Sequence, residues 1–324
     1  MMAAPVFAVI ERRVERTFPV SEAPHLSLGS SFGAVNIREV PGAKEIKVVV
    51  IQTADVEDEE EMDRRLTTLA LSMKQPDAKT VSIEATFTRS VTWSWKTWPP
   101  VTLIYEVEVP QRCDLKITTG EGQILIGAVH GKLELACDTG GIFTGEIDGS
   151  IVARSRSGPV SITACTGGID VSTDSGQIAV GRAGGRTVLA SRGGYIELQR
   201  ASGEVVVRGN GSYAQVGFVS PIRHGADIVT SGGSITLQLE TDAACLLDLR
   251  ASIFGDVAVR GELPLVVTSG GLGKSRLKGK LNGGGVRIVA KAGGGNVRLR
   301  GIEPAVTEFG EAARKLESRS DGGL

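Results

Sequence analysis

Aromatic residues make up only 4% of this 324-residue chain, histidine occurs three times and cysteine four times. So few aromatic rings suit a narrow core better than a broad globular one. Cys113, Cys137, Cys165 and Cys245 form no CxxC pair. That spacing speaks against a zinc site or a disulfide framework and predicts free, buried thiols. His25, His130 and His224 are scattered, with no nucleophile–base constellation around them. No catalytic residue, metal or cofactor is expected. No stretch approaches the roughly 20 apolar residues of a transmembrane helix. A net charge of −1 gives no global attraction to nucleic acid, and none is expected as a partner.

Glycine, by contrast, is abundant at 43 residues, and its placement is periodic. Gly122, Gly140, Gly158, Gly176 and Gly194 recur at one constant spacing, and Gly131, Gly149, Gly167, Gly185 and Gly203 follow half a period behind. Apolar columns run in the same register. One reads Ile124, Ile142, Val160, Ile178, Ile196; the next reads Ile126, Thr144, Ile162, Val180, Leu198. A third reads Leu133, Ile151, Ile169, Thr187, Val205, and a fourth Leu135, Ala153, Val171, Leu189, Val207. A short fixed period, about 18 residues here, with stacked apolar columns predicts a repeat architecture. Two short alternating runs per period predict two strands, one face inward and one outward. The fold expected is therefore all-β: a parallel β-solenoid with coils stacked about 4.8 Å apart. Right-handed coiling is the default for parallel crossovers. The glycines fit corners that need positive φ or close backbone approach.

Other columns refine the register. Val129, Ile147, Cys165, Ala183 and Ala201 read as a small inward corner. Asp138, Arg156, Asp174, Arg192 and Asn210 place alternating charge along one edge, where cross-strand pairs contribute about 0.2–1 kcal/mol each. Glu134 and Asp170 share an outward column with Val152 between them. Two coils would separate these carboxylates by roughly 10 Å, near the limit for an inverting glycosidase pair. Val188 and Val206 continue the column, with no basic or aromatic cluster beside it, so no enzyme is expected. The outward Leu125 and Phe143, and the outward valines, suggest contact with a partner or a second copy.

The chain divides into an N-terminal extension (1–17), an irregular β-rich cap (18–112), a solenoid (113–301) and a C-terminal helix or tail (302–324). Within the cap, Asp55 and the acidic run that follows predict a helix over 55–74, with Met62, Leu66, Leu69, Ala70 and Met73 as its apolar stripe. The acidic run lacks the glycine and alternating oxygen ligands of a calcium loop. After Gly211 the period loosens to about 21 residues. Leu247 and Leu249, Val257 and Val259, and Leu265 and Val267 continue the coils. Val286 and Ile288, then Val297 and Leu299, form the expected last rungs.

The run Glu108-Val109-Pro110 and the run Leu115-Lys116-Ile117-Thr118-Thr119-Gly120, with the repeated Thr/Ser-x-Gly-x-Ile units, resemble the bacterial putative-adhesin β-strand-repeat family. So do Leu247 to Ser252, Gly279 to Gly285 and Gly295 to Leu299. The resemblance spans residues 18–301. It implies an exported parallel β-solenoid without established enzymatic activity. The apolar start at Met1–Ile10 is short and lacks a basic beginning. The expected location is the cell envelope or outside the cell if a longer signal was trimmed, and the cytoplasm otherwise.

Two binding candidates stand out. Trp93, Trp95 and Trp98 lie close together in the sequence and either stack on sugar rings or anchor a protein, or brace the open end of the solenoid. The span from Leu263 to Ile302 has eight bases and no acid, with Lys274, Arg276, Lys278 and Lys280 closest together. It is either a solvated basic face or a site for an anionic polysaccharide, lipid head groups or nucleic acid; no interleaved aromatics support single-stranded nucleic acid. The function expected is an adhesin-like, non-enzymatic scaffold that binds a surface polysaccharide or protein, with a self-assembling structural protein as the alternative.

Overall fold

A computed structural model describes residues 8–88 and 99–304. Among them the fold is all-β, with one short helix and every strand in a single hydrogen-bonded network. The N-terminal part holds β1 (Ala8–Pro19), β2 (His25–Phe32), β3 (Ala34–Val40), β4 (Glu45–Val56), α1 (Glu59–Leu66), β5 (Leu69–Lys74), β6 (Thr80–Phe87) and β7 (Thr102–Pro110). The repeats supply β8 (Asp114–Glu121), β9 (Ile124–Ile126), β10 (Val129–Thr139), β11 (Ile142–Ser155), β12 (Val160–Cys165), β13 (Ile169–Thr173) and β14 (Ile178–Ala183). They continue through β15 (Thr187–Ser191), β16 (Ile196–Ala201), β17 (Val205–Gly209), β18 (Ala214–Phe218), β19 (Ala226–Thr230) and β20 (Ile235–Glu240). The C-terminal part comprises β21 (Cys245–Arg250), β22 (Val257–Arg260), β23 (Leu265–Gly270), β24 (Arg276–Leu281), β25 (Val286–Ala292) and β26 (Val297–Ile302).

Through the repeats each strand pairs in parallel with its equivalent one period further along. Ile142 faces Val160, Val160 faces Ile178, and Ile178 faces Ile196. On the other stack Ile151, Ile169, Thr187 and Val205 follow one another. The four apolar columns and the small corner column are buried. Val205 pairs with Ala226, and Ala214 with Ile235, the longer step falling where the period was expected to loosen.

Both roles expected of the corner glycines occur: Gly122, Gly131, Gly140 and Gly149 have positive φ, and from Gly158 onward close approach alone requires glycine. A Cβ built on Gly158 would lie 1.5 Å from the Gly140 carbonyl oxygen, and one on Gly176 would lie 1.9 Å from that of Gly158. Gly158 and Gly176 do not have left-handed φ values. Each glycine lets the corner of one repeat sit directly on the corner before it.

The two ends depart from the expected order in the same way. Strand β2 lies between β8 and β6, and β3 lies between β9 and β7, all in parallel. At the other end β25 lies between β19 and β21, and β26 lies between β20 and β22. The strands expected to form the last rungs are therefore tucked inside, and β21–β22 is the outer parallel rung. Beyond the parallel rungs both ends finish antiparallel. Strand β4 pairs with β7 and β1, and β5 pairs with β6. Strand β24 pairs with β21 and β23. Leu265 and Val267 thus belong to an antiparallel hairpin rather than to a continuing coil.

The expected 55–74 helix is shorter. Asp58, not Asp55, caps it, accepting the Glu61 backbone N–H at 2.8 Å. Met62 is buried from its inner face, while Leu69, Leu71 and Met73 alternate along β5 against β6. Period-two burial at a sheet edge overrides the helical stripe there. Strand β1 takes in most of the stretch expected as an N-terminal extension. The expected C-terminal tail lies outside the described residues from 305 onward.

Candidate functional site

A cavity of about 950 Å³ opens on the outer face at the N-terminal end. Its floor is an outward column: Asn36 pairs with Leu125, Leu125 with Phe143, and Phe143 with Ser161. Strand alternation places all four outward, because Val35, Ile37, Ile124, Ile126, Ile142 and Thr144 occupy the core positions between them. Gly127 and Gly145 line the floor beside this column and carry no side chain to fill it. The antiparallel strands raise the wall: Glu106 and Glu108 from β7, Lys47 and Val49 from β4, Arg13 and Glu15 from β1.

Most of the rim charges are paired. Arg38 meets Glu108, Lys47 meets Glu15 at 2.8 Å, and Arg13 meets Glu11 at 2.7 Å. The hydrogen bond from Lys47 to Glu15 raises the Lys47 pKa, and the one from Arg13 to Glu11 raises that of Arg13. These bases stay charged. The Asn36 side-chain oxygen is buried with no hydrogen-bond partner, one rung from Leu125 and two from Phe143. This chemistry suits a ligand with both apolar faces and hydroxyl or amide donors. Leu125 and Phe143 stood out from the sequence as outward apolar residues. Asn36 and the rim did not, because β3 and β7 stand outside the periodic columns and reach the site only through long-range pairing.

Trp93, Trp95 and Trp98 lie outside the described residues. Arg276, Lys278 and Lys280 do come together, as the exposed alternate positions of β24, with Lys274 exposed in the preceding turn. Across the pairing, Arg276 faces Arg250, Lys278 faces Asp248 and Lys280 faces Leu246. Asp248 is the acid that the 263–302 span lacks. Its carboxylate is buried, receives Arg250 Nε at 3.2 Å and meets Arg287. Burial alone would raise its pKa; the two arginines outweigh this and hold it below the usual carboxylate range. Arg298 and Arg300 sit on β26, in the other stack.

Glu134 is paired with Lys116 at 3.5 Å, and Asp170 with Arg154 at 2.9 Å. Stacking of successive repeats also joins His130 to Asp148 at 3.2 Å and Thr166 to Asp148 at 2.7 Å. Here the hydroxyl donates to the carboxylate rather than to the imidazole, which is not the arrangement that activates a nucleophile. All four cysteines are free and buried. Burial pushes the thiol pKa up to about 12 for Cys113 and about 11 for Cys137 and Cys245. Among the described residues no three His, Cys, Asp or Glu side chains converge as metal ligands, and no helix is long and apolar enough to cross a membrane.

No family model matches the chain, and no curated protein matches it. Among solved structures it is similar to a putative cell adhesion protein from Clostridium sporogenes, at 13% identity over 90% of this chain and 100% of that one, with a TM-score of 0.22. It is also similar to a putative adhesin from Bacteroides fragilis, at 10% identity over 90% of this chain and 97% of that one, with a TM-score of 0.35. At these scores the likeness carries nothing about ligand or activity.

Proposed function

We propose that this chain is a single parallel β-solenoid, capped over residues 18–112, acting as a non-enzymatic, adhesin-like scaffold of the cell envelope. Its ligand is a polysaccharide held in the groove between the N-terminal cap and the first repeats. The groove carries this reading: the Phe143 ring and Leu125 offer an apolar floor, and the charged side chains of Arg13, Glu15, Arg38, Lys47, Glu106 and Glu108 surround it with polar groups. Sugar rings present an apolar face and a belt of hydroxyls, which match both. The ion pairs that occupy Glu134 and Asp170 support a binding role over hydrolysis.

The test is retention on an immobilised panel of bacterial and host polysaccharides, with Phe143→Ala and Asn36→Ala as variants. Loss of the ring contact is expected to weaken binding about tenfold, equivalent to about 1.4 kcal/mol, with no new reducing ends released. Retention unchanged by both variants rules out the groove as the site, and released reducing ends rule out the non-enzymatic reading.

A further inference from the structure

The far end of the molecule has a different surface. Ile253 and Phe254 sit in the turn between β21 and β22, 87% and 96% exposed, and Leu272 sits in the turn between β23 and β24, 55% exposed. The two turns are tied together. The Ala251 N–H donates to the Ser275 carbonyl at 2.8 Å, the Val257 N–H to the Lys274 carbonyl at 2.8 Å, and the Gly273 N–H to the Val257 carbonyl at 3.0 Å. Ser252, Gly255, Gly271 and Gly273 supply the turn chemistry. Neither turn requires Ile253, Phe254 or Leu272, and at this exposure they do little packing in their own chain. Lys274 and Arg276 are exposed next to them, and Lys278 and Lys280 continue the same exposed row along β24, opposite Asp248 and Leu246. Of the nearby acids, Asp248 is bound by Arg250 and Arg287, while Asp256 and Glu262 lie in the flanking loops.

We propose that this end docks on an anionic lipid bilayer, Ile253, Phe254 and Leu272 entering the acyl boundary and the basic side chains of β24 meeting lipid phosphates. The charge decides the occupant. Two copies meeting end to end through this surface would bring their lysines and arginines together. Head-to-tail contact needs an open apolar acceptor; among the described residues the N-terminal end exposes Val9, while Leu125 and Phe143 are half-buried at the floor of the groove, inside its charged rim. A bilayer needs no preformed pocket for convex apolar tips and supplies the opposite charge. The inference does not depend on the polysaccharide groove, which lies at the other end. Seven rung steps separate the Phe143 rung from β22, about 34 Å at the usual strand spacing, so docking would hold the groove away from the membrane.

The experiment is flotation of the full chain with vesicles of phosphatidylcholine alone, and of equal parts phosphatidylcholine and phosphatidylglycerol, at low and high salt. Binding is expected only to the anionic vesicles, weakening as salt rises. A Lys278→Glu/Lys280→Glu double variant should lose more than tenfold, since each base near the surface contributes roughly fivefold. An Ile253→Ser/Phe254→Ser variant, altered only at exposed turn positions, should keep its circular dichroism spectrum and lose about tenfold or more. Phe143→Ala should float unchanged, which separates failure of this inference from failure of the groove reading. No flotation, or flotation indifferent to both double variants, overturns the proposal. So does a wild-type chain that light scattering shows to be oligomeric and that the turn variant makes monomeric, because the surface is then an interface between copies.

Discussion

The middle of the molecule and its two ends obey different rules of neighbourhood. In the middle, Val160 pairs with its equivalents one period before and one period after it, Ile142 and Ile178. At the ends, Leu26 pairs with Leu115 and Val81, and Ile288 pairs with Ala226 and Leu247. A repeat can close on its predecessor as soon as it is made. The tucked rungs require closure of much longer loops, whose entropic cost rises slowly with length. In exchange, the first and last parallel rungs in sequence are covered on both sides, and antiparallel strands finish each end. The two ends are not equally guarded: β1 carries Glu11, Arg12, Arg13, Glu15 and Arg16 along its edge, whereas β23 has no charged residue. Charges on an exposed edge discourage further pairing.

The largest expected effect breaks the middle. Gly158 stacks on Gly140 with no room for a Cβ, and the obstacle is backbone that its own strands hold in place. Gly158→Val is expected to cost more than about 4 kcal/mol, in the range reserved for gross packing conflicts. Gly168→Ala is the control, since its Cβ would approach nothing nearer than the Arg186 carbonyl at 3.7 Å. Denaturant unfolding of the two variants checks the contrast, and equal stability would show that the corners are looser than their stacking implies.

The next effect separates a tucked rung from a terminal one. Ile288 is fully buried between β19 and β21. Ile288→Ala should cost about 2–4 kcal/mol, as much as Ile162→Ala in the middle. Were β25 the last rung, as sequence order suggests, the loss would be smaller and its amides would exchange first. Hydrogen exchange is expected to show β25 and β26 better protected than β21 and β22.

That contrast also marks how far the sequence is legible. Stacking with a constant period is written in the columns themselves: Ile142, Val160, Ile178 and Ile196 declare both the inward face and the register. The same rule, applied to polar positions, would have found His130, Asp148 and Thr166 together. The tucked rungs leave no such mark, because Val286-Arg287-Ile288 has the same alternation whether it ends the stack or enters it. The groove was half legible for the same reason. Leu125 and Phe143 belong to the periodic part, while Asn36, Glu106 and Lys47 arrive through pairings between distant segments. The helix was overextended because Leu69 and Met73 fit a helical stripe as well as an alternating strand, and only their pairing with Phe87 and Ile83 decides between them.

A third, smaller effect is dependent on pH and belongs to the C-terminal end. Asp248 is held below its ordinary pKa, so its contribution to stability is present above the unfolded value of about 3.9 and is lost as pH falls through the lower folded value. Asp248→Asn should cost about 1.5–3 kcal/mol at neutral pH, the range for hydrogen bonds to charged groups. The gap to wild type should close as the solution is acidified below about pH 4. Thermal melts across that range check the sign; a gap that widens in acid would mean that the two arginines do not hold the carboxylate ionised.

The smallest effect returns to the middle and tests whether the charged ladder there does more than decorate a solvated edge. Asp138 pairs with Arg156 at 3.3 Å and Asp174 with Arg192 at 2.9 Å, all four side chains more than half exposed. Exposed pairs of this kind contribute little, because water screens the charges and two long side chains give up freedom to meet. A double-mutant cycle on Asp174 and Arg192 should give a coupling below about 0.5 kcal/mol, reduced further by salt. Gly176 stacks on Gly158 just beyond Asp174, with its Cβ position 1.9 Å from the carbonyl, so the register at this edge is already set by backbone contact. A coupling well above that value would transfer part of the register from the glycines to the charges, and the Gly158→Val penalty would then be smaller than expected.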